Sequence, residues 1–116
     1  MARKADPRTP PLRPPVFHIL LALAEADLHG LGIADEVERT SGGALELGPG
    51  TLYRSLAELA DFGLVEVLRR HPDGADPRRK YYRLTEPGRE LAAAEAARLA
   101  GVVEQARAKS ILPRAV

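Results

Sequence analysis

The sequence predicts a mainly α chain with a small β-hairpin, and three observations predict it. Apolar residues recur at helical spacing in three short stretches before residue 63. Two strand-length runs rich in β-branched and aromatic residues follow, separated by turn formers. A long alanine-rich stretch at helical spacing closes the chain. With 116 residues, 45% of them hydrophobic and 28% charged, the chain has the size and composition of one folded domain.

The first fifteen residues hold Pro7, Pro10, Pro11, Pro14 and Pro15. Proline lacks an N–H and disfavours helix in the residue before it, so residues 1–15 read as an extended, basic, proline-rich arm. A helix opens at Pro14 or Pro15, where proline suits a first turn. Val16, Ile19, Leu20, Leu23 and Ala24 then line one face of it. Glycines between Asp27 and Gly32 break the pattern. A second short helix runs from about Leu31 to Thr40, with Ile33, Ala34 and Val37 inward, and Ser41-Gly42-Gly43 ends it. The third helix opens after Gly48-Pro49-Gly50. Leu52, Leu56 and Leu59 fall in one narrow arc, with Arg54, Glu58 and Asp61 pointing away and Gly63 as the stop.

The period then changes. Residues 65–70 and 79–84 are each a strand in length, and His71-Pro72-Asp73-Gly74-Ala75-Asp76-Pro77 between them is dense in turn formers. Of Tyr81 and Tyr82, which alternate faces in a strand, one is expected in the core and the other at the wing or an interface. Thr85 is placed to cap a fourth helix that starts at Glu86-Pro87 and runs to about Ser110. Such a helix spans nearly 40 Å, more than a core this small covers. Leu91, Leu99, Val102, Val103 and Ala106 form an apolar seam on it, and the surrounding alanines permit close approach. A homodimer built on residues 86–112 is the expectation, with a helix packed along its own domain as the alternative.

Helix, short helix, glycine turn, helix, basic hairpin is the order of a winged helix-turn-helix, here over residues 16–85. In that motif the third helix enters the major groove of DNA and the hairpin touches the backbone or minor groove. The charge pattern agrees. Net charge is only +1, but residues 1–13 carry +3, residues 14–68 carry −7 and residues 69–83 carry +4. Such a stripe attracts phosphates although the whole chain is near neutral. Thr51, Tyr53, Arg54 and Ser55 at the start of the third helix are candidate contacts to double-stranded DNA. Arg69, Arg70, Arg78, Arg79 and Lys80 are the candidates from the wing. The competing roles are packing over the helix start for Tyr53 and a surface pair with Glu58 for Arg54. Glu58 and Asp61 would repel phosphates, which confines base reading to the first two turns.

Other classes fit poorly. Zero cysteines exclude a disulfide scaffold, a thiolate metal site and a cysteine nucleophile. Ser41, Ser55 and Ser110 form no nucleophile–base spacing with His18, His29 and His71, and no glycine-rich phosphate loop follows a strand, so no enzyme is expected. The scattered histidines read as surface or capping residues; no metal or cofactor is expected. The longest apolar run, Val16–Ala24, is nine residues, well short of the roughly 20 that cross a bilayer, and a cytoplasmic chain with no membrane partner is expected. The runner-up function is a winged-helix interaction module that docks a protein through its long last helix.

Four stretches run in order: Phe17-His18-Ile19-Leu20-Leu21-Ala22-Leu23, His29-Gly30-Leu31-Gly32-Ile33, Gly50-Thr51-Leu52-Tyr53-Arg54-Ser55-Leu56 and Gly63-Leu64-Val65-Glu66. A fifth, the most specific, is Arg79-Lys80-Tyr81-Tyr82-Arg83-Leu84-Thr85-Glu86-Pro87-Gly88-Arg89. Together they cover about residues 16–91, and in this order and spacing they resemble the PadR family of transcriptional regulators. The resemblance implies a homodimer on a roughly palindromic operator, usually repressing. It assigns groove contact to Thr51, Tyr53 and Arg54, and dimerisation to the fourth helix with the first, which brings in Phe17 and Leu20. Leu31 stands where the family often has an aromatic residue, with an effect expected on packing. A single C-terminal helix matches the short branch of the family. The resemblance identifies no small-molecule effector, and the absence of tryptophan argues against an aromatic sandwich for one.

Overall fold

The computed structural model describes residues 8–68 and 74–113. Along the chain come α1 (Pro14–Ala22), β1 (Leu28–His29), α2 (Gly30–Thr40), α3 (Pro49–Asp61), β2 (Val65–Val67), β3 (Tyr81–Leu84) and α4 (Glu86–Ala108). The hairpin strands belong to a three-stranded antiparallel sheet ordered β1-β3-β2, with Leu28 opposite Tyr82 and Val65 opposite Leu84. Nothing in the sequence pattern announced β1, which occupies the glycine-containing break after α1.

Each helix start, and the end of α3, has a chemical cause. Proline stands at the first positions of α1, α3 and α4, where its missing N–H costs nothing. The His29 ring caps α2 by accepting the Gly32 N–H at 3.0 Å on Nδ1, which realises the capping role read for a histidine. Gly63, at φ 74°, turns the chain out of α3 while the Leu64 N–H closes onto the Leu59 carbonyl at 2.9 Å. Thr85 caps α4: its hydroxyl accepts the Gly88 N–H at 3.1 Å and donates to the Gly63 carbonyl at 2.6 Å.

One core joins these pieces. Ile19 and Leu20 from α1, Ile33 and Val37 from α2, Leu52, Leu56 and Leu59 from α3, and Val65, Tyr82, Leu84 and Leu91 are buried together. Each contributes about 1.5–3 kcal/mol of burial. The core ends early along α4, whose buried residues are Gly88, Leu91 and Glu95. Beyond Glu95 the helix runs on with Val102 and Val103 exposed. No helix among the described residues is long and apolar enough to cross a membrane.

Three expectations are corrected. The arm is docked where it is described: Leu12 is buried, its N–H donates to Glu95 Oε2 at 3.1 Å, and Arg8 stacks 4.8 Å from the centre of the Phe62 ring. Residues 1–7, with Arg3 and Lys4, lie outside the described residues. Tyr81 and Tyr82 are both buried. Tyr82 joins the core, whereas Tyr81, on the opposite face of β3, is covered by the His29 ring at 5.4 Å, and its hydroxyl accepts the Asp76 N–H. Leu31, where the family often has an aromatic residue, is 52% exposed, so the packing effect expected there falls outside the core.

Candidate nucleic-acid interface

Leu52, Ser55, Leu56 and Leu59 form the buried side of α3, at spacings of three and four residues. Arg54 projects from the opposite side, Thr51 and Tyr53 flank the buried arc, and all three are exposed. Ser55 is therefore a correction: it is 7% exposed, turned inward between leucines, and does not belong to the surface that α3 presents. Arg54 has no ion pair with Glu58. Glu58 instead lies 3.9 Å from Arg13, which moderates its charge at the rear of the helix.

The wing meets α3 over a groove of about 320 Å³. His29, Gly30 and Leu31 around the start of α2, Tyr53 of α3, Arg78, Arg79 and Lys80 before β3, and Tyr82 line it. Burial, and secondarily the nearby Tyr53, push the Tyr82 hydroxyl above its ordinary pKa, so it stays protonated. Asp76 organises the turn before β3. Its carboxylate accepts the Arg78 backbone N–H at 2.9 Å and the Arg78 guanidinium at 3.1 Å, and Arg79 Nε lies 3.6 Å away. These contacts, the Arg78 side chain first, hold Asp76 below the usual carboxylate range. One acid against three bases leaves this segment cationic. Arg83 is a different case, since it turns to Asp27 at 3.2 Å and Glu66 at 3.9 Å on the outer face of the sheet. Arg69 and Arg70 lie outside the described residues.

The expected dimerisation residues divide into two groups. Leu20 and Leu91 are buried in the chain's own core and have no surface left for a partner, a second correction. Phe17 and Leu99 are half-buried, Ala106 is half-buried, and Val102 and Val103 are exposed. Sequence reasoning missed Gly30 and Tyr82 as walls of the groove, and it missed the buried Glu95. A glycine at the first position of a helix, where no turn requires it, was the available signal for Gly30.

Comparison with known proteins places this geometry in a family. An uncharacterised 37.1 kDa protein in transposon TN4556 of Streptomyces fradiae is 42% identical over 88 residues, or 73% of this chain. The match takes in 24% of that relative, so the chain spans about a quarter of its length. Among solved structures, a PadR family transcription regulator from Clostridium difficile superposes with a TM-score of 0.66 at 19% identity, over 84% of this chain and 98% of its own. RosR of H. salinarum gives 0.61 at 30% identity, over 86% and 80%. Bacillus subtilis PadR in complex with operator DNA gives 0.60 at 23% identity, over 71% and 46%. Residues 19–94, from α1 into the first turns of α4, match the profile of the transcriptional regulator PadR-like family. The chain belongs to that family, a family of transcriptional regulators.

Proposed function

We propose that the chain acts in the cytoplasm as a homodimeric repressor that reads a palindromic operator with α3 and a basic wing. The observation that carries this reading is the shared groove: Tyr53 on α3 and Arg78, Arg79 and Lys80 on the wing line it together. A duplex laid along this face meets hydroxyls and a guanidinium from α3 in its major groove, and cations from the wing at its backbone. In this reading Thr51, Tyr53 and Arg54 make the α3 contacts. Two copies joined through Leu99, Val102, Val103 and Ala106 of α4, with Phe17 of α1 at the margin, set two such faces about 34 Å apart, one helical turn of DNA. A palindromic site follows from twofold symmetry, and repression follows where that site overlaps a promoter.

A mobility-shift titration on the region upstream of the chain's own gene tests the reading. Replacing Arg78, Arg79 and Lys80 together with alanine should weaken binding to every duplex. It should also flatten the plot of log affinity against log salt by up to about 0.9 per lost phosphate contact. Arg54→Ala should cost about 1–3 kcal/mol and alter sequence preference. A wild-type chain that shifts no duplex in dilute salt, or an unchanged slope for the triple variant, overturns it.

A further inference from the structure

Gly30 is buried at the first position of α2, and its φ is not positive, so the path of the chain gives no reason for glycine there. Alanine would favour the helix. The reason lies across the groove. A Cβ at Gly30 would stand 2.5 Å from the Tyr53 hydroxyl oxygen, 2.8 Å from Cε1 and 2.9 Å from Cζ. Non-bonded carbons settle at about 3.5–4.0 Å, so the Tyr53 ring occupies the volume a side chain would take. Tyr53 is nonetheless 51% exposed as a residue. Arg78, Arg79 and Lys80 line the same groove, and its described lining includes no carboxylate.

We propose that this groove seats a phosphodiester of the DNA backbone, and that Gly30 is the positioning residue that sets the Tyr53 hydroxyl against it. The inference rests on the DNA-binding reading above and adds a ligand group and a residue to it. The chemistry matches: a phosphate oxygen accepts from a phenolic O–H, and Arg78, Arg79 and Lys80, with Asp76 beside the first two, leave a net positive charge to compensate its own. With glycine at position 30 the ring is held against α2, with its hydroxyl inside the cationic groove. With alanine the ring must swing out toward solvent, a movement that costs the fold little because the ring is half-exposed already.

Phosphate contacts carry no sequence information, so the probe is a mixed-sequence duplex in dilute salt. Tyr53→Phe, which removes one hydroxyl, should lose about tenfold in affinity. Gly30→Ala should lose as much while its melting temperature holds or rises. In the Tyr53→Phe background, Gly30→Ala should cost nothing further, whereas a general distortion of α2 would cost the same in both backgrounds. Full affinity in Tyr53→Phe overturns the proposal whatever the fate of the alanine variant. So does an equal loss from Gly30→Ala in both backgrounds. If the wild-type chain binds no duplex, it is the DNA-binding reading that fails.

Discussion

One added methyl group has opposite consequences at two glycines of α4. A Cβ at Gly88 would overlap the Leu64 carbonyl oxygen and stand 2.7 Å from Leu84 Cδ1. A backbone carbonyl between α3 and β2 cannot swing aside, so Gly88→Ala should destabilise by about 1–3 kcal/mol despite alanine's helix propensity. At Gly101 nothing lies within 4 Å, and Gly101→Ala should stabilise by about 1 kcal/mol. Urea denaturation of the two variants reads both signs. Glu95 is a residue where charge bears on the fold. Its buried carboxylate holds the Leu12 N–H and both Arg98 Nε, at 2.6 Å, and Arg98 Nη2, at 3.0 Å. Hydrogen bonds from Arg98 pull its pKa below the ordinary 4.5; burial opposes them, and the Leu12 N–H and the Arg98 charge add to the pull. A carboxyl with a lower value folded than unfolded contributes stability above its unfolded value and loses it as pH falls through the folded one. Thermal melts should therefore show Glu95→Gln melting below wild type near neutral pH. The gap should close on acidification below about 4.5. A gap that persists into acid would mean that the carboxylate charge is not what holds the arm.

At the scale of elements, Thr85 joins the wing to α4. Thr85→Ala removes the cap on Gly88 and the bond to the Gly63 carbonyl, and should cost about 1 kcal/mol, up to about 2, by urea denaturation. Position 85 was legible because capping is local: Thr85-Glu86-Pro87 announces a helix start without reference to any distant residue. The α3 leucines were legible for the same reason. Ser55 was misread although its spacing from Leu52 and Leu59 put it inside the apolar arc; residue type outweighed position. The strand β1 was not legible at all. Two residues carry no period, and β1 exists because Leu28 and His29 find Tyr82 and Tyr81, more than fifty positions away. The burial of Tyr81 depends on that pairing, and so was hidden with it. The arm followed the same logic: a glutamate in an alanine-rich helix reads as solvated until Leu12 and Arg98 are seen to enclose it.

At the scale of the whole molecule, α4 is larger than the core it leaves. Leu91, Leu99, Val102 and Ala106 share one stripe of the helix, with Val103 beside it. The stripe is buried at Leu91, half-buried at Leu99 and open at Val102 and Val103. A second copy that lays the part of the stripe beyond Leu91 against its counterpart closes the surface on both chains at once, as a twofold axis requires. Val102→Glu with Val103→Glu should therefore leave the melting temperature of the isolated fold nearly unchanged, because neither valine reaches the core. By sedimentation the wild-type chain should be a dimer and this variant a monomer. The consequence for DNA is larger than the lost contacts. In a dimer, the second half-site is met at an effective concentration of order millimolar, set by the rigid pair of helices. A monomer forfeits that gain and should bind a palindromic duplex at least about 100-fold more weakly, while binding an isolated half-site as the wild type does. If the variant stays dimeric, or if both proteins bind the palindrome equally, the stripe serves something other than a second copy. The two α3 helices would then have no common frame to hold them one turn of DNA apart.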